Sequence, residues 1–124
     1  IVQYSAASLV SENKVLAHPR RVGWVPCSAN QEDHVSMGTI GARKAGDILR
    51  NAQEVVAMEI FTACQAIDLN GNINLGNKTL KAYKKVREHI PFINDDEIMY
   101  PHIHTLEDII ASDELYNAIF TEVE

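Results

Sequence analysis

One apolar stripe constrains this chain more than any other feature. Val35, Ile40, Ile48, Leu49, Ala52, Val55, Val56, Ile60, Ala63, Cys64 and Ile67 keep a helical period with no proline among them. The pattern predicts one long helix over residues 31–69. At about 1.5 Å per residue it would run for about 50 Å or more, beyond what a globule of 124 residues ordinarily holds. Helices of that length belong to bundles, so this one is expected to pack against chains or segments outside this sequence.

The flanking residues agree with an all-α fold. Val2, Ala6, Leu9, Val10, Leu16 and Ala17 recur at helical intervals without Gly or Pro and predict a first bundle helix over residues 1–17. His18-Pro19 closes it, because the residue before a proline is pushed out of helical geometry. Residues 18–30, with Pro19, Gly23, Pro26 and Ser28, read as a loop. After the long helix, Asn70-Gly71-Asn72-Ile73-Asn74-Leu75-Gly76-Asn77 is dense in turn formers and opens a tail of short helices over residues 70–124. These are expected at Thr79–His89, at Asp95–Met99, and from Leu106 to Ala111, the last continuing through Asp113 to Phe120. No stretch reads as a strand.

Composition narrows the function. With 46% hydrophobic and 23% charged residues the chain is ordinary for a globular protein, and no apolar run approaches the roughly 18 residues of a membrane span. A net charge of −6 argues against a nucleic-acid partner, which requires a surplus of Lys and Arg on one face. The local exception, Lys78, Lys81, Lys84, Lys85 and Arg87, has the spacing of a solvated helix face. Cys27 and Cys64 lie far apart in no metal-ligand spacing, which suits a reducing cytoplasm. The chain opens on Ile1 without the layout of a signal peptide and reads as a piece of something longer.

Most chemical motifs dissolve on inspection. Asp68-Leu69-Asn70-Gly71-Asn72 imitates the start of a calcium loop, but Ile73 stands at the glycine position and Thr79 at the place of the bidentate Glu. It reads instead as a helix-ending turn. Asn77-Lys78-Thr79 matches a glycosylation acceptor that means little without secretion, and His102 with His104 lacks further metal ligands. Residues 28–38, SANQEDHVSMG, are different. Ser28 with Gln31 and Asn30 with Asp33 fit helix-capping spacings, and Glu32 and Asp33 suit the positive end of a helix dipole. Five consecutive polar residues, Asn30 to His34, also stand at the head of a long apolar helix, where functional groups are held rigidly beside free N–H donors. Capping and a binding site both remain open on this ground.

The string Ser28-Ala29-Asn30-Gln31-Glu32-Asp33-His34-Val35-Ser36-Met37-Gly38, followed by Ala42-Arg43-Lys44, resembles the C-terminal signature of the aromatic amino acid ammonia-lyases in its histidine-specific form. Ala6 to Lys14 and Leu16-Ala17-His18-Pro19 resemble the family at the matching distance, and Gln65 to Leu69 and Tyr100-Pro101 extend the likeness more weakly. The resemblance implies a mostly helical homotetramer with long helices in a shared bundle and active sites built from more than one subunit. It implies non-oxidative elimination of ammonia from L-histidine to give urocanate. It further implies an electrophile, a 4-methylidene-imidazol-5-one (MIO) group made from an internal Ala-Ser-Gly, beside a tyrosine base. No Ala-Ser-Gly occurs in these residues and the tyrosine loop would lie upstream, so no catalytic residue is assigned here and the isolated chain is expected to be inactive.

Mapped residue by residue, the family's carboxylate facing the substrate imidazole falls on Glu32, with Gln31 beside it and Asn30 and His34 in support. Phenylalanine and tyrosine lyases typically read Asn-Gln-Asp there, without the extra Glu. The chain departs from the family at Arg20 to Cys27, where Gly23-Trp24 replaces an Asp-Ser, and at Gly41, where an Ala is usual. The alternatives are a segment of a tyrosine or phenylalanine lyase or aminomutase, and a non-catalytic helical assembly module. No metal is implied.

Overall fold

The computed structural model describes residues 1–18, 38–71 and 74–121. They form five helices and no strand: α1 (Val2–Leu16), α2 (Gly38–Asn70), α3 (Asn77–His89), α4 (Tyr100–Ala111) and α5 (Glu114–Phe120). The described part of the long helix thus runs 33 residues, about 50 Å, and ends one residue beyond the expected point. Residues 31–37, where the stripe places its first turns, lie outside the described residues. Glycine stops α2: Gly71 takes φ +64, the left-handed conformation that suits a residue without a Cβ, and its N–H reaches back to the Asp68 carbonyl at 3.2 Å.

The chain divides into two compact units, one formed by Gln3–Ala52 and the other by Gln53–Glu124. In the first, α1 and the leading half of α2 bury no residue fully: α1 has none, and the buried positions of α2 begin at Ala57. α1 ends where Ala17 donates to the Asn13 carbonyl at 2.8 Å, with Lys14 in the last turn beside the negative end of the helix dipole.

The second unit has a core of its own. α2 contributes Ala57, Met58, Phe61 and Cys64, one face at three- and four-residue spacing, and α4 contributes Ile103, Leu106 and Ile109. Val86, Ile90 and Leu106 are its largest fully buried side chains, each stabilising the fold by roughly 1.5–3 kcal/mol. α5 packs on both α3 and α4, with Leu115 turned inward.

Two expectations for the tail are corrected. Asp95–Met99 is irregular rather than helical. Five residues cannot offset helix nucleation without buried contacts, and Asp95 through Ile98 are exposed. The helix expected from Leu106 begins instead at Tyr100, with Pro101 in its first turn, where a missing N–H costs nothing. Nor does it continue to Phe120. Asp113, at φ 60, breaks the chain between α4 and α5.

Candidate functional site

Asn30, Gln31, Glu32 and His34 lie outside the described residues, as do Cys27 and the atypical loop 20–27, so no geometry is assigned to them. The described residues on either side of this stretch do meet one another. Lys44 Nζ donates to the His18 carbonyl at 2.6 Å, joining the last described residue of the first helical segment to the second turn of α2. Farther along, Asn51 Nδ2 donates to Asn13 Oδ1 at 2.9 Å and lies 3.4 Å from Glu12 Oε2. Residue 18 meets 44 and residue 13 meets 51, so the numbering rises on one helix as it falls on the other and the pair is antiparallel. An ammonium at the end of α1 suits the unpaired carbonyls and negative dipole there. Lys44 and His18 both belong to the stretches that carried the family resemblance.

The densest polar cluster of the second unit was not anticipated. Asp68, at the end of α2, accepts from the Tyr83 hydroxyl and from Arg87 Nη2, the latter at 2.5 Å. Arg87 Nη1 donates to the carbonyls of Ile90 and Pro91 at 3.2 and 3.1 Å. Its Nε is buried without a partner. The hydrogen bond to the Asp68 carboxylate raises the Tyr83 pKa, with desolvation adding to it, because both favour the neutral phenol. Nearby, Gln65 clamps the chain at Ile93, its amide donating to the carbonyl and its oxygen accepting the Ile93 N–H at 3.2 Å. Burial pushes the Cys64 thiol up, Arg87 opposing and Asp68 adding to the shift. These groups are occupied with one another and tie α2 to α3, which makes the cluster a brace rather than a reaction centre. Tyr83 and Arg87 share a face of α3 at a four-residue spacing legible in the sequence. Their common partner, 15 and 19 residues earlier across a turn, is not.

The basic run on α3 is only partly the solvated face expected. Lys78, Lys81 and Lys84 are exposed, whereas Arg87 is 13% exposed and Lys85 20%. Lys85 pairs with Glu114 at 2.6 Å and Glu88 at 3.0 Å, which raises its pKa and lowers that of Glu114. His102 and His104 do not converge: His102 faces Glu97 at 2.6 Å and His104 faces Glu107 at 2.5 Å. Among the described residues no group of three His, Cys, Asp or Glu side chains is placed to hold a metal ion. None of their helices is long and apolar enough to cross a membrane.

Comparison with known proteins puts this frame in context. Residues 1–88 match the aromatic amino acid lyase family. A protein of Fusobacterium nucleatum named histidine ammonia-lyase 1 is 54% identical over 116 residues, 93% of this chain and 22% of the relative. Histidine ammonia-lyase of Alkaliphilus oremlandii is 52% identical over 124 residues, all of this chain and 24% of its own length. Among solved structures, histidine ammonia-lyase from Trypanosoma cruzi superposes with a TM-score of 0.86 at 36% identity, over 93% of this chain and 23% of that one. Tyrosine aminomutase from Streptomyces globisporus gives 0.89 at 32%, over 98% and 23%. This chain therefore spans about a quarter of the length of the relatives it matches.

Proposed function

Because this chain belongs to the aromatic amino acid lyase family, we propose that it is the C-terminal part of a histidine ammonia-lyase, which eliminates ammonia from L-histidine to leave trans-urocanate. The observation that carries the proposal is identity of 52% along all 124 residues to a protein named for that reaction. Backbone similarity does not choose the substrate, since the tyrosine aminomutase superposes at least as well as the T. cruzi histidine lyase. That match supports the second reading, a segment of a tyrosine-specific enzyme.

In the proposed pocket Glu32 accepts from the substrate imidazole N–H, or pairs with its cationic form, and Gln31 lies beside it with Asn30 and His34 in support. The MIO electrophile supplies the chemistry of the amino group's departure when present. It would be built from an Ala-Ser-Gly, and these 124 residues contain none, so the segment supplies pocket wall and not the electrophile. The remainder of the lyase chain and other subunits of a homotetramer complete the site.

The test incubates the complete lyase and the isolated 124-residue chain separately with histidine and with tyrosine. Urocanate absorbance from the complete enzyme alone is expected. Turnover by the isolated chain would remove the argument about the electrophile, and elimination from tyrosine but not histidine would establish the second reading.

A further inference from the structure

The turn that ends α2 holds a pair of residues that the proposed pocket does not use. Asn70 is the last residue of the helix, and Asn70-Gly71 is the one place in the chain where glycine follows asparagine. Both residues are exposed. Gly71 takes φ +64, a Cβ built there would meet nothing within 4 Å, and its N–H reaches the Asp68 carbonyl at 3.2 Å, the long end of the hydrogen-bond range. Its peptide nitrogen is thus uncrowded and loosely held. The other asparagines of the described residues lack one or more of these features. Asn13 and Asn51 are half-buried, bonded to each other at 2.9 Å, and followed by Lys14 and Ala52 inside helices. Asn117 lies within α5, with its N–H on the Asp113 carbonyl at 2.9 Å. Asn74 and Asn77 precede Leu75 and Lys78, whose side chains crowd the following peptide nitrogen. Asn94 donates to the Asp95 carboxylate at 3.2 Å, and that charge disfavours an anionic nitrogen beside it.

We propose that Asn70-Gly71 is a self-modification site, at which the Gly71 peptide nitrogen displaces ammonia from the Asn70 side chain. The nitrogen gives its proton to hydroxide and adds its electron pair to Cγ of Asn70. The Cγ–Nδ2 bond then breaks, the leaving nitrogen takes a proton from water, and ammonia departs from a five-membered cyclic imide. Water opens that ring at either carbonyl. Attack at Cγ leaves an aspartate at this position, and attack at the main-chain carbonyl leaves an isoaspartate whose backbone runs through Cβ and Cγ. Ring closure requires Asn70 to leave helical geometry. As a terminal residue beside a glycine, it does so at the low end of local opening free energies. Either product sets a carboxylate at the negative end of the α2 dipole, and the isoaspartate also lengthens the connection to α3 by one backbone atom. Asp68 keeps its bonds to Tyr83 and Arg87 on the helical side of the change, so the second unit retains its fold and the altered chain accumulates.

The experiment holds the complete lyase at neutral and at mildly alkaline pH for weeks, digests samples, and locates mass gains by fragmentation of the peptides. A gain of about 1 Da, amide exchanged for acid, is expected at residue 70 before any other asparagine of the described residues, and faster at the higher pH. Two products of that mass should separate, one of them accepting isoaspartate-specific carboxyl methylation. The same protein unfolded in guanidinium serves as the reference. Native enzyme is expected to convert at residue 70 no more than about tenfold more slowly than this reference. Slower conversion, or earlier conversion at Asn13, Asn51, Asn74, Asn77, Asn94 or Asn117, overturns the proposal. Asn70→Gln, which would need a six-membered ring, is expected to abolish the gain at that position, and an undiminished gain overturns the mechanism. Converted enzyme is expected to elute with the native form, and its precipitation or unfolding would refute the accumulation of a folded product.

Discussion

Glu32 allows two uses of one carboxylate, and they move different quantities. As the acceptor of the histidine imidazole, its replacement by Gln in the complete enzyme removes a charge-assisted hydrogen bond worth on the order of 2–4 kcal/mol, or about 30- to 1000-fold in turnover efficiency. As a capping or dipole residue it is worth roughly 1 kcal/mol of stability, with turnover untouched. Melting midpoint and kcat/KM measured together on Glu32→Gln separate the two, and a lower midpoint with near-normal efficiency would withdraw the substrate role. Asp68 offers a comparable contrast in the brace. Asp68→Ala strips Arg87, only 13% exposed, of its carboxylate and leaves the Tyr83 hydroxyl without its acceptor. Urea unfolding should show a loss of about 2–4 kcal/mol, against about 1 kcal/mol for Tyr83→Phe. Glu114 sets an acid limit. Its pKa is lowered chiefly by the hydrogen bond from Lys85, so the folded state gives up this proton more readily than the unfolded one. The contribution is therefore present above the ordinary carboxylate range and is lost as pH falls through the folded pKa. Midpoints measured between about pH 5 and pH 3 should fall less steeply for Glu114→Gln than for the native chain. A single residue can be singled out in the sequence where it belongs to a contiguous motif, as Glu32 does, although its place lies outside the described residues. Asp68 was not, because a turn separates it from both partners and local spacing carries no record of contacts across turns.

The helices themselves were legible in proportion to their length and periodicity. Through α2 the apolar stripe repeats over many turns, and Gly71 marks its end. The tail misled the reading because its elements are short and their limits are set by tertiary contacts. Asp95–Met99 had helical composition, but it meets α4 through the Glu97 side chain, which faces His102, and through the Met99 carbonyl, which accepts the Ile103 N–H, and neither contact requires a helix. The break at Asp113 depends on a single residue accepting φ 60, which an aspartate tolerates and a sequence period does not reveal. At Gly41 the resemblance pointed to a replaced alanine, and the structure shows room for one. It lies inside α2, and a Cβ built there meets nothing within 4 Å. Gly41→Ala should therefore stabilise the isolated chain by about 1 kcal/mol, the helix-propensity difference between the two residues. Circular dichroism melts decide it. The same change in the complete enzyme reports whether another segment approaches this surface closely, because only then would the added methyl destabilise.

Across the chain, the two units differ in what they can hold together unaided. Gln53–Glu124 has an apolar core drawn from four helices and two residues of a connection, with the Asp68 brace and the Gln65 clamp across its elements. Gln3–Ala52 has no fully buried residue among those described, and it leaves Tyr4, Val10, Val15 and Leu49 exposed, Tyr4 at 78%. Burial supplies most of the free energy that offsets chain entropy, so local stability should follow this division. In hydrogen exchange followed by mass spectrometry, amides within Gln53–Phe120 of the isolated chain are expected to be protected. Those of α1 and the first turns of α2 should exchange within seconds to minutes. The missing protection should come from partners. The chain spans about a quarter of its relatives' length, and the exposed side chains named above are of the kind that other segments or subunits cover. In the complete enzyme the same peptides should be slowed by about two orders of magnitude or more, as expected when an opening free energy rises by about 3 kcal/mol. Uniform protection in the isolated chain would mean that the first unit is stable by itself, and the exposed faces of α1 and α2 would then need another explanation than assembly. Fast exchange of both units would instead place the second unit's core below the threshold for independent folding, and with it the use of the isolated chain for any stability measurement.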